Sequence, residues 1–276
     1  MIDIENLDFG YSQKSILLEN LNLRLNVGHI YGLLGKNGIG KSTLLKNIAG
    51  LAFPISGNCK MNGMPTFKRK PSFLQKLFFI PEEIHMPSVT SKVFVNRTAH
   101  FYPNFDRDYF YKLLNDFDVE AENNLNKLSF GQQKKMMIAF GLATNTSVLI
   151  MDEPTNGLDI PSKVQFRKVI SSALSGDRCI IISTHQVRDL DSLIDTVIVL
   201  HEKKIILNSS IDDIGEKLLF SPFSKSNKDK LIYQEDNAIG NNTISLNINE
   251  NYNKVDMELL FNAIIHDSNA ILQSLN

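Results

Sequence analysis

Leu21, Leu23 and Leu25 alternate with Asn22, Arg24 and Asn26, the period-two pattern of a strand with one buried and one wet face. Strands are predicted over 3–9 and 17–27, and a wholly apolar one over 30–34 after Gly28. A glycine-rich stretch follows, then a helix from about Lys41 that Gly50 ends. Asn62-Gly63 signals a hairpin, so a small antiparallel element is expected before a further apolar strand at 77–80. Between 86 and 126 the period changes, with Tyr109, Leu113, Leu114 and Phe117 at helical spacing, predicting a helical insertion. Short apolar strands return at 148–151, 179–183 and 197–200 with polar helical stretches between them, the order of a parallel sheet. Beyond Gly215 the composition turns to Asn, Ser and Lys. A strand over 243–249 and an amphipathic helix over 255–275 then predict a small C-terminal α/β tail. The expected organisation is an α/β core over 1–215, its helical subdomain at about 86–128, and a tail domain over 216–276. No internal repeat is present, so there is one such core.

A chain of 276 residues, 43% of them apolar, suits one large domain with a small appendage. Lys plus Arg number 29 against 30 Asp plus Glu, so no general field draws in nucleic acid or anionic lipid. Cys59 and Cys179 lack the spacing of a disulfide framework or a zinc site and suit a reducing cytosol. The amino terminus carries Asp3 and Glu5 where a signal peptide is basic, and no apolar run is long enough to span a bilayer.

Gly35-Lys36-Asn37-Gly38-Ile39-Gly40-Lys41-Ser42 matches the phosphate-loop pattern between a predicted strand and helix, the context that the motif requires. Its glycines let several N–H groups turn inward, and the helix that follows presents its positive end to phosphates. Lys41 then reaches the β- and γ-phosphates, Ser42 offers a hydroxyl to Mg²⁺, and Thr43 adds an α-phosphate contact. The strand at 148–151 ends in Asp152-Glu153, two acids at the carboxyl edge of the sheet, where ligands bind in such folds. Asp152 is expected to hold the Mg²⁺ shell and Glu153 to polarise the attacking water. The bland alternative is that both acids cap a helix starting near Pro154.

Just upstream, Leu128-Ser129-Phe130-Gly131-Gln132 resembles the signature motif of ATP-binding cassette proteins, a likeness that covers residues 1–207. It implies a P-loop NTPase (RecA-like) core with a small antiparallel β subdomain and a helical subdomain. It also implies a dimer that sandwiches ATP, the signature of one subunit facing the P-loop of the other. Ser129 is a good helix cap before 132–143, and alone would be no more than that. The resemblance gives Ser129, Gly131 and Gln132 a γ-phosphate role in trans, and Asn156-Gly157-Leu158-Asp159 the loop crossing the interface, Asp159 tuning the two sites. His185 matches the switch histidine that touches γ-phosphate and holds Glu153 and the water. Tyr11 stands where the family stacks an aromatic on adenine, with a core aromatic as the alternative.

Two positions depart from the family. Phe130 replaces a usual glycine, losing backbone freedom and adding bulk. Glu82, in Ile80-Pro81-Glu82-Glu83, replaces a glutamine that contacts Mg²⁺; a carboxylate keeps an oxygen ligand and adds negative charge. Glutamate here, with Phe101-Tyr102-Pro103-Asn104-Phe105-Asp106 and the 255–263 segment, resembles a branch with many bacterial exporters of drugs, peptides and antibiotics. The leading expectation is an ATPase subunit at the cytoplasmic face of the membrane, paired with itself or a homologue and driving a separate multi-span permease, with no nucleic-acid partner. The alternatives are a soluble cassette ATPase and a low-turnover regulatory ATP-binding module.

Overall fold

The computed structural model of the chain describes residues 1–12, 15–222, 231–237, 240–248 and 253–275. The first strands build a four-stranded antiparallel sheet in the order β2-β1-β4-β5, from β1 (Ile2–Ser12), β2 (Ser15–Leu25), β4 (Ser56–Met61) and β5 (Met64–Pro65). β1 runs beyond the expected residue 9 because its pairing with β2 continues into the turn, Ser12 lying opposite Ser15. β2 stops at Leu25, short of the expected 27, because the Asn26 N–H donates to the Tyr31 hydroxyl at 2.8 Å instead of to a ladder partner. At the β4–β5 turn Asn62 and Gly63 both take positive φ, 49° and 75°, as a two-residue hairpin turn demands.

The central sheet has the order β10-β9-β3-β8-β7-β6, from β3 (His29–Leu34), β6 (Leu77–Ile80), β7 (Val148–Asp152), β8 (Cys179–Thr184), β9 (Thr196–His201) and β10 (Lys204–Ser210). All of its pairs are parallel except β9–β10. Both faces are covered, which is why these strands read as apolar runs and not as alternations. Tyr31, Leu33, Ile150 and Ile181 pack toward the antiparallel sheet and α1 (Lys41–Ile48). Ile30, Leu149, Met151, Ile180 and Ile182 pack on the opposite side with Phe140, Phe166 and the helical insertion. After the short α2 (Pro71–Leu74), that insertion holds α3 (Ser91–Thr98) and α4 (Arg107–Asp116), and it packs on α5 (Phe130–Ala143). α6 (Ile160–Ala173) links β7 to β8.

The tail begins differently from the expectation. Residue 215 lies inside α7 (Ile211–Lys217), and β11 (Leu218–Pro222), β12 (Leu231–Asn237) and β13 (Gly240–Leu246) form a sheet in the order β11-β13-β12. The strand expected over 243–249 is β13, which ends at Leu246; residue 249 lies outside the described residues. The helix expected over 255–275 is two helices, α8 (Met257–His266) and α9 (Ser268–Leu275). Asp267 breaks it with φ −148°, and its Oδ1 accepts the Asn269 and Ala270 N–H groups at 3.1 and 3.2 Å, capping α9 where an unbroken helix would leave no free donors.

Leu218, Ile244, Leu260 and Ile264 belong to the same buried cluster as Phe140 and Phe166, so tail and core share one apolar interior. Leu260→Ala, at 1% exposure, is expected to destabilise the whole chain by about 2–5 kcal/mol. Denaturant unfolding followed by circular dichroism should keep a single transition at a lower midpoint. Two separated transitions would show that the tail folds independently.

Candidate functional site

The parallel register brings the site together. Leu34 lies beside Thr184 and Asp152 beside Ser183, so the phosphate loop after β3, the acids ending β7 and His185 after β8 share the carboxyl edge of the sheet. Gly40 caps α1 at φ 115° without a side chain, a conformation only glycine adopts readily, so no side-chain acceptor occupies the first-turn N–H groups. That end of α1 is a ready anion site.

Lys41 is buried, and its Nζ donates to the Gly35 and Lys36 carbonyls at 2.8 and 3.3 Å while lying 3.8 Å from Glu153 Oε1. Burial lowers its pKa, and Glu153, Asp152 and Glu82 oppose that shift. Glu153 is buried with φ 47°, a left-handed conformation unusual for a side-chain-bearing residue. Its N–H donates to the Ser183 carbonyl at 3.1 Å and to Ser183 Oγ at 3.2 Å, and its carbonyl accepts from Lys134 Nζ at 2.7 Å. Its Oε1 pairs with His185 Nδ1 at 2.9 Å, whereas Oε2, also buried, has no hydrogen-bond partner among the described residues. Asp152 Oδ1 accepts from the Ser183 hydroxyl at 2.5 Å.

Tyr11, Leu17, Asn37, Gly38, Gly40, Lys41, Ser42, Thr43, Glu82, Glu153 and His185 line one cavity of about 360 Å³. Ten of those eleven are residues that the sequence singled out; Leu17 is the addition. Tyr11 is 74% exposed, which removes the core-aromatic alternative; its hydroxyl meets Thr43 Oγ1 at 3.0 Å and its ring stands edge-on to Phe9. Glu82 Oε1 accepts from Asn156 Nδ2 at 3.0 Å. Gly35, Lys36 and Ile39 complete the loop, the two carbonyls already described holding Lys41, and Asp152 stands one residue before Glu153.

Ser129, Gly131, Gln132 and Asp159 do not line this cavity. Ser129 Oγ accepts the Gln132 N–H while Gln132 Oε1 accepts the Ser129 N–H, a capping box that starts α5 at Phe130, two residues before the expected 132. Asp159 caps α6, and hydrogen bonds from Ser162 hold its carboxyl below the usual range. Phe130 occupies the first turn of α5 with negative φ, so glycine's backbone freedom is not needed there. Its ring lies against Gly157, where a Cβ would come within 2.6 Å of Cδ1; Gly157 has φ 81° and no side chain to obstruct it. Ser183 and Lys134 were missed by the sequence reading. A serine ending the strand beside the acid pair was the available signal for the first, whereas Lys134 between Gln133 and Lys135 reads as part of an exposed polar run.

A glycine-capped helix end, a buried lysine and a carboxylate with one open oxygen around a single cavity define a P-loop nucleoside triphosphatase. The family described as ABC transporter matches residues 18–156, just over half of the chain. The chain belongs to the ATP-binding cassette family: it is an ATP-binding subunit and an ATPase. It is 31% identical to the lantibiotic transport ATP-binding protein SrtF of Streptococcus pyogenes over 77% of this chain and 92% of that protein. It is 30% identical to the bacitracin transport ATP-binding protein BcrA of Bacillus licheniformis over 81% and 71%. Among solved structures, cbiO1 from Clostridium perfringens, part of the transporter complex cbiONQ, aligns with TM-score 0.62 and 27% identity over 76% of this chain and 88% of that one. An ATP-binding subunit of an ABC transporter aligns with TM-score 0.69 over 78% and 91%; at 24% identity it speaks to the fold.

Ser183→Ala removes the donor to Asp152 and one acceptor of the Glu153 N–H from a fully buried position. It is expected to cost about 1–3 kcal/mol of stability, read as a lower denaturant midpoint at unchanged slope. A midpoint equal to that of the wild type would show that the serine is not holding the acids.

Proposed function

We propose that this chain powers an exporter, working as an ATP-sandwich dimer beneath a separate multi-span membrane subunit at the cytoplasmic face. One observation carries the chemistry: Glu153 has one carboxylate oxygen fixed by His185 and the other without a partner among the described residues, in a cavity floored by the phosphate loop. Tyr11 offers an open ring for adenine. The N–H groups from Lys36 to Thr43, with the Lys41 ammonium, receive the phosphates. Glu153 Oε2 holds the attacking water, whose oxygen bonds to the γ-phosphorus as the bond to the β–γ bridging oxygen breaks. ADP leaves, and the water's proton passes to the carboxylate. His185 keeps that carboxylate aimed and reaches toward the γ-phosphate.

The donor set fits Mg²⁺. No cluster of three His, Cys, Asp or Glu residues forms a cation cage among the described residues, and Mg²⁺ prefers one or two carboxylates completed by phosphates and water. Ser42, Asp152 and Glu82 would hold it, and it would supply charge neutralisation for the phosphates.

The dimer is supported by the half-built pocket: about 360 Å³ is near the lower end for a small-molecule site, and the signature residues lie outside it. Ser129, Gly131 and Gln132 of a second copy would close it over the γ-phosphate, with Asp159 at the crossing. Phe130, Ile160 and Val164, all exposed, leave apolar surface on the signature side and α6. Export rests on the relatives, named for lantibiotic transport, bacitracin transport and Nod factor export. A separate permease rests on the same relatives, which are named as transport ATP-binding proteins; no helix among the described residues is long and apolar enough to cross a membrane.

Glu153→Gln is expected to lower ATP turnover at least about 100-fold while retaining ATP, and to accumulate as a dimer with ATP and Mg²⁺ on size-exclusion chromatography. Chelating Mg²⁺ with EDTA should abolish wild-type turnover. A Glu153→Gln protein that stays monomeric with bound ATP would overturn the sandwich. A tagged chain that leaves no trace in purified membranes would overturn the transporter assignment.

A further inference from the structure

Lys134 is a cation with 0% exposure inside α5. Burying an ammonium is costly unless it is paired and hydrogen-bonded. Among the described residues it makes no ion pair; its Nζ donates to the main-chain oxygen of Glu153 at 2.7 Å and lies 5.1 Å from the centroid of the Phe130 ring. Desolvation lowers its pKa most, and Glu82, Glu153 and Asp152 work against that shift, so the acids of the nucleotide site favour its charged form. An apolar side chain would fill this helix position without the desolvation penalty, so packing does not account for the lysine.

The geometry accounts for it. Glu153 sits at φ 47°, a conformation that persists only where its surroundings over-determine it. Ser183 fixes its N–H, and Lys134 fixes its carbonyl. The other side of the ammonium meets Phe130, whose ring also rests on Gly157. A continuous path of ring, cation and carbonyl therefore runs from the exposed signature turn to the residue with the open carboxylate oxygen.

We propose that Lys134 is a positioning residue for hydrolysis: it holds the Glu153 backbone in the left-handed conformation that places the carboxylate in the cavity, and Phe130 makes that hold depend on what covers the signature turn. The proposal rests on the reading of Glu153 as the group that takes the water's proton.

The test is steady-state ATP hydrolysis by the full chain with Mg²⁺, alongside equilibrium ATP binding. Lys134→Met, which keeps an apolar chain and deletes the cation, is expected to lower kcat at least 10-fold with KM and ATP affinity within 2-fold. Lys134→Arg, which keeps a cationic donor, should recover at least a third of wild-type kcat. Phe130→Leu, which removes the ring face and leaves Lys134 in place, should lower kcat at least 3-fold, again at constant KM. A folded Lys134→Met with kcat within 2-fold of wild type overturns the proposal, as does a parallel loss of kcat and ATP affinity, the mark of general disruption. If Lys134→Met fails to fold, Phe130→Leu decides: unchanged kcat overturns the proposal. Glu153→Gln separates the two levels, since wild-type turnover in that variant overturns the role of Glu153 itself, whereas an inactive Glu153→Gln beside an active Lys134→Met overturns only the positioning.

Discussion

A carboxylate at 4% exposure has lost the water that would solvate it, and Glu153 is held from four parts of the chain. Lys41 comes from the phosphate loop, His185 from the segment after β8, Ser183 from β8 itself and Lys134 from α5. Each contact depends on the register that sets Asp152 beside Ser183 and Leu34 beside Thr184. Sliding β7 by one residue would turn its side chains to the opposite face and separate the acids from all four partners. The unbroken burial of Val148–Asp152 and Cys179–Thr184 is thus a condition of the chemistry, because side chains packed on both faces are what prevent that slip.

The same dependence explains what was readable in advance. The phosphate loop and the acid pair are contiguous, with their meaning fixed by neighbours one to eight residues away, so pattern alone located seven of the eleven cavity-lining residues, and the family resemblance added Tyr11, Glu82 and His185. The capping box at Ser129 and Gln132 was likewise local, although only a family resemblance could say what else the serine does. Lys134 was not readable, because its burial comes from Glu153 and Phe130 closing over it, and Gln133 and Lys135 beside it disguise it as solvent-facing. The tail helix was misread for a related reason: apolar positions continue across Asp267, so periodicity stays smooth while that residue's side chain caps the next helix and ends the first.

Phe130 and Glu82, the two departures from the family pattern, are far apart in sequence, yet the fold brings both to the loop after Glu153. The Phe130 ring lies on Gly157, and the Glu82 carboxylate accepts from Asn156. Extra bulk needs a place without a Cβ, and Gly157 provides it; an extra negative charge needs a donor, and the Asn156 amide provides one. A single loop thus accommodates both changes, and it sits between Glu153 and α6. On the role proposed for Lys134, a surface pressed against that loop would act on the Phe130 ring, on the Glu82 carboxylate that lines the cavity and, through Lys134, on the backbone of Glu153. On the proposed roles, the departures bear on when hydrolysis occurs more than on whether the pocket forms, since the cavity is assembled with both in place.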